Sequence, residues 1–126
     1  PASVEARASA SRLKDEGNAL FNAGDAEGAV KMYSCAINLD PMNAVLWSNR
    51  SAAHMQLSNF EAACKDAMMC RQLRPDWTRA CYRLAAARLA LGQFEDAGVA
   101  AWEGMQLDPN DQQCAEVFEK AIKQGR

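Results

Sequence analysis

The sequence predicts an all-α protein of three helix–turn–helix units closed by a capping helix, and three observations predict it. Helix formers dominate: 25 of the 126 residues are alanine, whereas Val, Ile and Thr together number 8, too few strand-forming side chains for a substantial sheet. Prolines stand at 41, 75 and 109, spaced by 34, each within a Leu-x-Pro: Leu39-Asp40-Pro41, Leu73-Arg74-Pro75 and Leu107-Asp108-Pro109. The same offset relates Glu27-x-Ala29, Glu61-x-Ala63 and Glu95-x-Ala97, and Phe60 to Phe94.

Residues 1–9 show no clear apolar face beyond Val4 and are expected to fray into the first helix. The first unit, 10–43, carries Leu13, Gly17 and Leu20 at helical spacing, then the turn Asn22-Ala23-Gly24-Asp25, then a second helix stopped at Leu39-Asp40-Pro41. Proline ends the helix by restricting the residue before it. The second unit, 44–77, places Trp47, Ser51, Ala52 and Met55 on one helix, turns at Leu57-Ser58-Asn59, and continues with Ala63, Ala67 and Cys70. The third, 78–111, has Leu84 and Ala85, the turn Leu91-Gly92-Gln93, and Ala97 before Pro109. Small residues at Gly17, Ser51 and Ala85, and at Ala29, Ala63 and Ala97, let the two helices of a unit approach closely. Residues 112–126 form an amphipathic helix with Cys114, Val117, Phe118, Ala121 and Ile122 on one face, expected to cover the open flank of the last unit.

Hydrophobic residues at 49% and charged residues at 24% describe one ordered domain with an ordinary core. No run approaches the roughly 18 apolar residues of a membrane span. The start, Pro1-Ala2-Ser3-Val4-Glu5-Ala6-Arg7, has neither a signal-peptide centre nor an initiator methionine, which reads as a piece of something longer. A net charge of −2 argues against a global field for nucleic acid. Five cysteines, with no C-x-x-C, read as reduced core residues of a cytosolic or nuclear protein. The single histidine, His54, has no cysteine at metal-ligand spacing, so no metal or other cofactor is expected; it reads as a partly buried packing residue that hydrogen-bonds nearby. Trp47, Trp77, Trp102 and the six methionines read as core, and Asp15-Glu16, Glu95-Asp96 and Asp108 with Asp111 as solvated faces and turn caps. No phosphate-cradling glycine loop, paired carboxylates with a base, or defensible nucleophile is present, so an enzyme is not expected.

The repeat resembles the tetratricopeptide repeat family over about residues 10–111, through Leu13, Gly17, Leu20, Ala29, Tyr33, Ala36 and Pro41 in repeat one, Trp47, Ser51, Ala63 and Pro75 in repeat two, and Leu84, Ala85, Ala97 and Pro109 in repeat three. His54 and Arg88 replace large apolar residues of the family pattern, and Ala67 and Ala101 stand where Tyr33 stands in repeat one. The resemblance implies a right-handed superhelical solenoid whose first helices line the concave wall.

On those helices Lys14 and Asn18 lie four apart, as do Arg79 and Arg83, with Asn49 between the pairs. Lys14-Asp15-Glu16-Gly17-Asn18, Asn49-Arg50-Ser51-Ala52-Ala53 and Arg79-Ala80-Cys81-Tyr82-Arg83 resemble the carboxylate clamp of tetratricopeptide co-chaperones, with arginine at 79 in place of lysine. This implies binding of the C-terminal Glu-Glu-Val-Asp of cytosolic heat-shock chaperones, with Phe21, Ala52 and Gln56 bordering a slot for the ligand's valine. Arg79 keeps the charge and adds a planar fork. The alternative reading is a general scaffold that binds an internal peptide or a folded, even foreign, partner independently of the clamp. Leu73-Arg74-Pro75-Asp76-Trp77 through Arg83, and Gly104 through Pro109, also resemble the tetratricopeptide tail of plant proteins with ankyrin repeats upstream.

Overall fold

The computed structural model describes residues 1–125, which form seven helices and, among the described residues, no strand. They are α1 (Val4–Asn22), α2 (Ala26–Leu39), α3 (Ala44–Gln56), α4 (Phe60–Leu73), α5 (Thr78–Ala90), α6 (Phe94–Leu107) and α7 (Gln112–Gln124). Each helix packs on the next in sequence, and the backbones of α1, α3, α5 and α7 also approach one another in succession, whereas those of α2, α4 and α6 stay apart and the Arg71–Glu103 side chains bridge α4 to α6. The odd-numbered helices therefore form one continuous wall, and the even-numbered ones stand behind it.

Local chemistry explains where the helices begin and end. The side chains of Ser3, Asp25, Asn43 and Asp111 accept backbone N–H groups of Ala6, Gly28, Val45 and Cys114 at 3.0, 2.8, 3.1 and 2.9 Å, capping α1, α2, α3 and α7. The Ser3 cap, with Glu5 in the first turn, starts α1 at Val4, so the expected fraying of residues 1–9 is confined to the first three. Leu39, Leu73 and Leu107 are each the last helical residue, two before a proline. The turns inside the units pass through left-handed backbone at Gly24, Ser58 and Gly92, again 34 apart, with φ of 90°, 59° and 75°.

Close approach is built from small side chains. Gly17, Ser51, Ala85, Ala29, Ala63 and Ala97 are all buried. A Cβ on Gly17 would lie 2.5 Å from Cε1 of Tyr33, so the missing side chain is what lets that ring lie across α1. In the next unit the Ser51 hydroxyl donates to the Ala63 carbonyl at 2.9 Å, drawing α3 onto α4. Cys114, Val117 and Ala121 seat α7 on α5 and α6. Ile122, expected on the covered face, is 44% exposed because the buried stripe runs along residues 114, 117 and 121.

Other expectations for single side chains are corrected. Trp47 and Trp77 pack against buried residues, but Trp102 is 50% exposed on the outer face of α6, and Met42 and Met68 are also exposed. Four cysteines are buried and Cys35 is exposed, since α2 turns it away from its neighbours. His54 is partly buried as expected, but it makes no hydrogen bond: Nε2 stands 3.7 Å from Asp66 and the Nδ1 atom is buried without a partner.

Candidate functional site

The wall formed by α1, α3 and α5 bonds two of the five expected clamp residues, Asn18 and Asn49, to each other and ties a third, Arg83, to the neighbour of Asn49. Asn49 on α3 donates from Nδ2 to Oδ1 of Asn18 on α1 at 3.3 Å, and the Tyr33 hydroxyl donates to the same oxygen from α2. Across the wall, Arg83 on α5 donates from Nε to the Ser48 hydroxyl of α3 at 3.2 Å, and its guanidinium lies 5.5 Å from the centroid of the Tyr82 ring. Lys14 lies one turn before Asn18 and is half-buried; Arg79 lies one turn before Arg83 and is exposed.

The electrostatics of this wall are unbalanced. Burial pulls the Arg83 guanidinium below its ordinary value, and the nearby charge of Arg79 pulls it further. The ion pairs among the described residues are Arg50–Asp66 and Arg71–Glu103, with His54 standing 3.7 Å from Asp66, and none of these contacts uses Lys14, Arg79 or Arg83. Three cations thus share one wall, none of them in an ion pair among the described residues, and one of them is largely withdrawn from water.

Beside Arg83 a groove of about 380 Å³ is lined by Phe21, Ala52, Met55, Gln56, Tyr82 and Ala86. It gathers the three residues expected to border a side-chain slot, Phe21, Ala52 and Gln56, from two helices. Its mixture of an aromatic floor, small side chains and one amide suits an apolar side chain next to a polar backbone.

Arg50, within the same five-residue motif as Asn49, faces the other way. It donates from Nε and Nη2 to the two Asp66 oxygens at 2.8 and 2.7 Å and from Nη1 to Ser34 at 3.0 Å, tying α3 to α4 and α2. Sequence reasoning missed this pair, and it missed Ser48 and the hydroxyl role of Tyr33, which it had read only as a packing position. Spacing carries a signal for Ser48: it lies on α3 next to Asn49, on the side of the wall toward α5. Among the described residues no three His, Cys, Asp or Glu side chains gather closely enough to hold a metal ion, and no helix is long and apolar enough to cross a membrane.

Comparison with known proteins agrees with this architecture. A family model for the TPR repeat matches residues 17–58. The chain is 41% identical over 112 residues to the protein STIP1 homolog of Dictyostelium discoideum, covering 89% of this chain and 20% of that one. It is 43% identical over 103 residues to the Hsp70-Hsp90 organizing protein of Triticum aestivum, covering 82% of this chain and 18% of that one. It therefore spans about a fifth of the length of these relatives. Among solved structures, the first TPR of Spaghetti (RPAP3), bound to the HSP90 peptide SRMEEVD, superposes with a TM-score of 0.90 at 31% identity, covering 93% of each chain.

Proposed function

The chain belongs to the tetratricopeptide repeat family, and from that membership we propose that its concave wall binds the free C-terminus of an acidic peptide of the Glu-Glu-Val-Asp type. Lys14, Asn18, Asn49, Arg79 and Arg83 serve as a carboxylate clamp, and Phe21, Ala52 and Gln56 border the slot for an apolar ligand side chain. The observation that carries this reading is a set of cations with no ion-pair partner among the described residues: Arg83 is sunk beside the groove, hydrogen-bonded to the Ser48 hydroxyl, next to the Tyr82 ring and near the charge of Arg79. A peptide ending in aspartate supplies two carboxylates a few ångströms apart, and each charge-assisted hydrogen bond formed in such a groove contributes about 1.5–3 kcal/mol. A few of these suffice for micromolar affinity, about −8 kcal/mol.

The partner supported by this chemistry is the C-terminal tail of a cytosolic heat-shock chaperone, and the domain acts as a co-chaperone or adaptor module in the cytosol. The HSP90 peptide carried by the similar Spaghetti domain ends in the same four residues, Glu-Glu-Val-Asp. Arg79 departs from the lysine of the family pattern. Its fork engages a carboxylate bidentately where an ammonium acts as a point charge.

Calorimetric titration with a Glu-Glu-Val-Asp peptide tests the assignment. Arg83→Ala and Lys14→Ala should each weaken binding about tenfold or more, corresponding to at least about 1.4 kcal/mol, with helicity by circular dichroism unchanged. Arg79→Lys should hold or raise affinity for this peptide. Variants that bind as tightly as the parent would remove the clamp assignment.

A further inference from the structure

We propose that two buried hydroxyls beneath the wall, those of Tyr33 and Ser48, are positioning residues of the clamp: Tyr33 fixes the Asn18 amide as a donor, and Ser48 fixes the reach of Arg83. The proposal rests on the carboxylate reading above and deepens it. Neither side chain is reachable by a ligand, since Tyr33 is 2% exposed and Ser48 fully buried. Both act through residues that line the wall.

Tyr33 belongs to α2, the helix behind the wall, yet its hydroxyl arrives at Asn18. The route is open because Gly17, the residue before Asn18, has no Cβ to stop the ring. In repeats two and three the equivalent places hold Ala67 and Ala101, which carry no hydroxyl, so only α1 receives this bond. Oδ1 of Asn18 accepts from both the Tyr33 hydroxyl and Nδ2 of Asn49. A carbonyl oxygen has two lone pairs, and both are then engaged. The amide is locked with its Nδ2 donors away from these partners and available to an acceptor in the groove. A carboxylate offers only acceptors, so this orientation matches it, and the reverse orientation would oppose it.

The hydroxyl keeps its proton as a phenol ordinarily does at neutral pH, and burial raises the Tyr33 value further, with the Arg83 charge partly offsetting this. It therefore stays a donor across the physiological range. Ser48 plays the matching part for Arg83. Its oxygen accepts the hydrogen bond of the Nε–H, which fixes the plane of the guanidinium and leaves the terminal nitrogens for a ligand. Preorganisation of this kind removes ordering cost at the moment of binding.

The test uses Tyr33→Phe, which removes one oxygen and keeps the ring on Gly17, and Ser48→Ala. Free-acid and C-terminally amidated Glu-Glu-Val-Asp peptides are titrated into each variant, into Asn18→Ala and Arg83→Ala, and into the two corresponding double variants. The order parameter of the Asn18 side-chain amide is read by nitrogen relaxation without ligand. Positioning predicts that Tyr33→Phe weakens the free acid about fivefold and leaves the amide unchanged. It also predicts no further loss when Tyr33→Phe is added to Asn18→Ala, or Ser48→Ala to Arg83→Ala, and a lower order parameter for Asn18 in Tyr33→Phe. Equal losses for acid and amide, additive losses in the double variants, or an unchanged order parameter would overturn it. Equal wild-type affinities for acid and amide would instead overturn the carboxylate reading, and the Asn18 order parameter would still decide whether Tyr33 positions that amide.

Discussion

Replacing Asp66 by alanine removes the carboxylate at the junction of α2, α3 and α4. Arg50 holds Asp66 with bonds of 2.8 and 2.7 Å, and both side chains are withdrawn from water. The variant leaves the guanidinium with the Ser34 hydroxyl at 3.0 Å and the Trp47 ring centroid at 5.0 Å as its remaining partners. Breaking a buried pair by removing one member costs about 3–5 kcal/mol. Arg50 keeps some contact with water, which places the expectation near the lower end, about 3 kcal/mol. For 126 residues, an unfolding entropy of about 2.1 cal/mol/K per residue makes each kcal/mol worth about 4 °C, so Tm should fall by about 12 °C. Urea denaturation followed by circular dichroism gives the free energy directly. The double variant Arg50→Met with Asp66→Leu removes both charges and should recover most of the loss, because apolar replacements of similar volume are neutral or stabilising. It should also bind the acidic peptide as the parent does, since Arg50 faces away from the groove. A cost for Asp66→Ala below about 1 kcal/mol, in the range of an exposed pair, would refute this reasoning, and so would loss of peptide binding in the double variant.

Ser58 holds the left-handed conformation that Gly24 and Gly92 hold in the other units, so Ser58→Gly should stabilise by about 1 kcal/mol, measured as a raised urea midpoint; an unchanged or lowered midpoint would contradict the strain. His54 is held below the ordinary value of 6.5, chiefly by burial, against the opposing pull of Asp66 and with a further push from Arg50. The fold thus favours its neutral form, and stability should be full above about pH 6.5 and decline as pH falls toward the depressed folded value. His54→Leu should flatten that decline and add about 1 kcal/mol by removing an unpartnered buried nitrogen; thermal melts at pH 7 and pH 5 check both. In the folded protein a small thiol reagent should titrate Cys35 quickly and the four buried cysteines only on unfolding, with Cys70 and Cys114 pushed up by burial to about 11 and 12; two or more fast thiols would contradict the burial pattern.

The fold is written in the sequence because a 34-residue period repeats its punctuation: Leu-x-Pro after α2, α4 and α6, and a turn residue at 24, 58 and 92. Periodicity says which side of a helix is apolar, but not which neighbour covers it. Trp102 shares its place in the repeat with Met68, which is also exposed, and with Ser34, which Arg50 of α3 reaches. One place in the period is thus covered in one unit and open in the others, and the bulk of Trp102 argued for cover. Gly17 was legible as a close-approach position, yet the consequence, that Tyr33 crosses it to reach Asn18, depends on where a ring lands in three dimensions. Asp66 was hidden for a similar reason. It pairs with a residue 16 positions away on the preceding helix, and a single acidic residue in a helical stretch carries no sign of its partner. The proposed clamp positions stand out because four-residue steps on α1 and α5 put two side chains on one face, and the stacking of odd-numbered helices brings those faces together.

The most direct measurement is the calorimetric titration of the unmodified domain with one Glu-Glu-Val-Asp peptide as the free acid and as its C-terminal amide. Capping the terminus removes one of the two carboxylates that the cations of Lys14, Arg79 and Arg83 are proposed to receive. The free acid should bind with micromolar affinity and the amide about tenfold more weakly or worse. Equal affinities for the two peptides would contradict a carboxylate clamp.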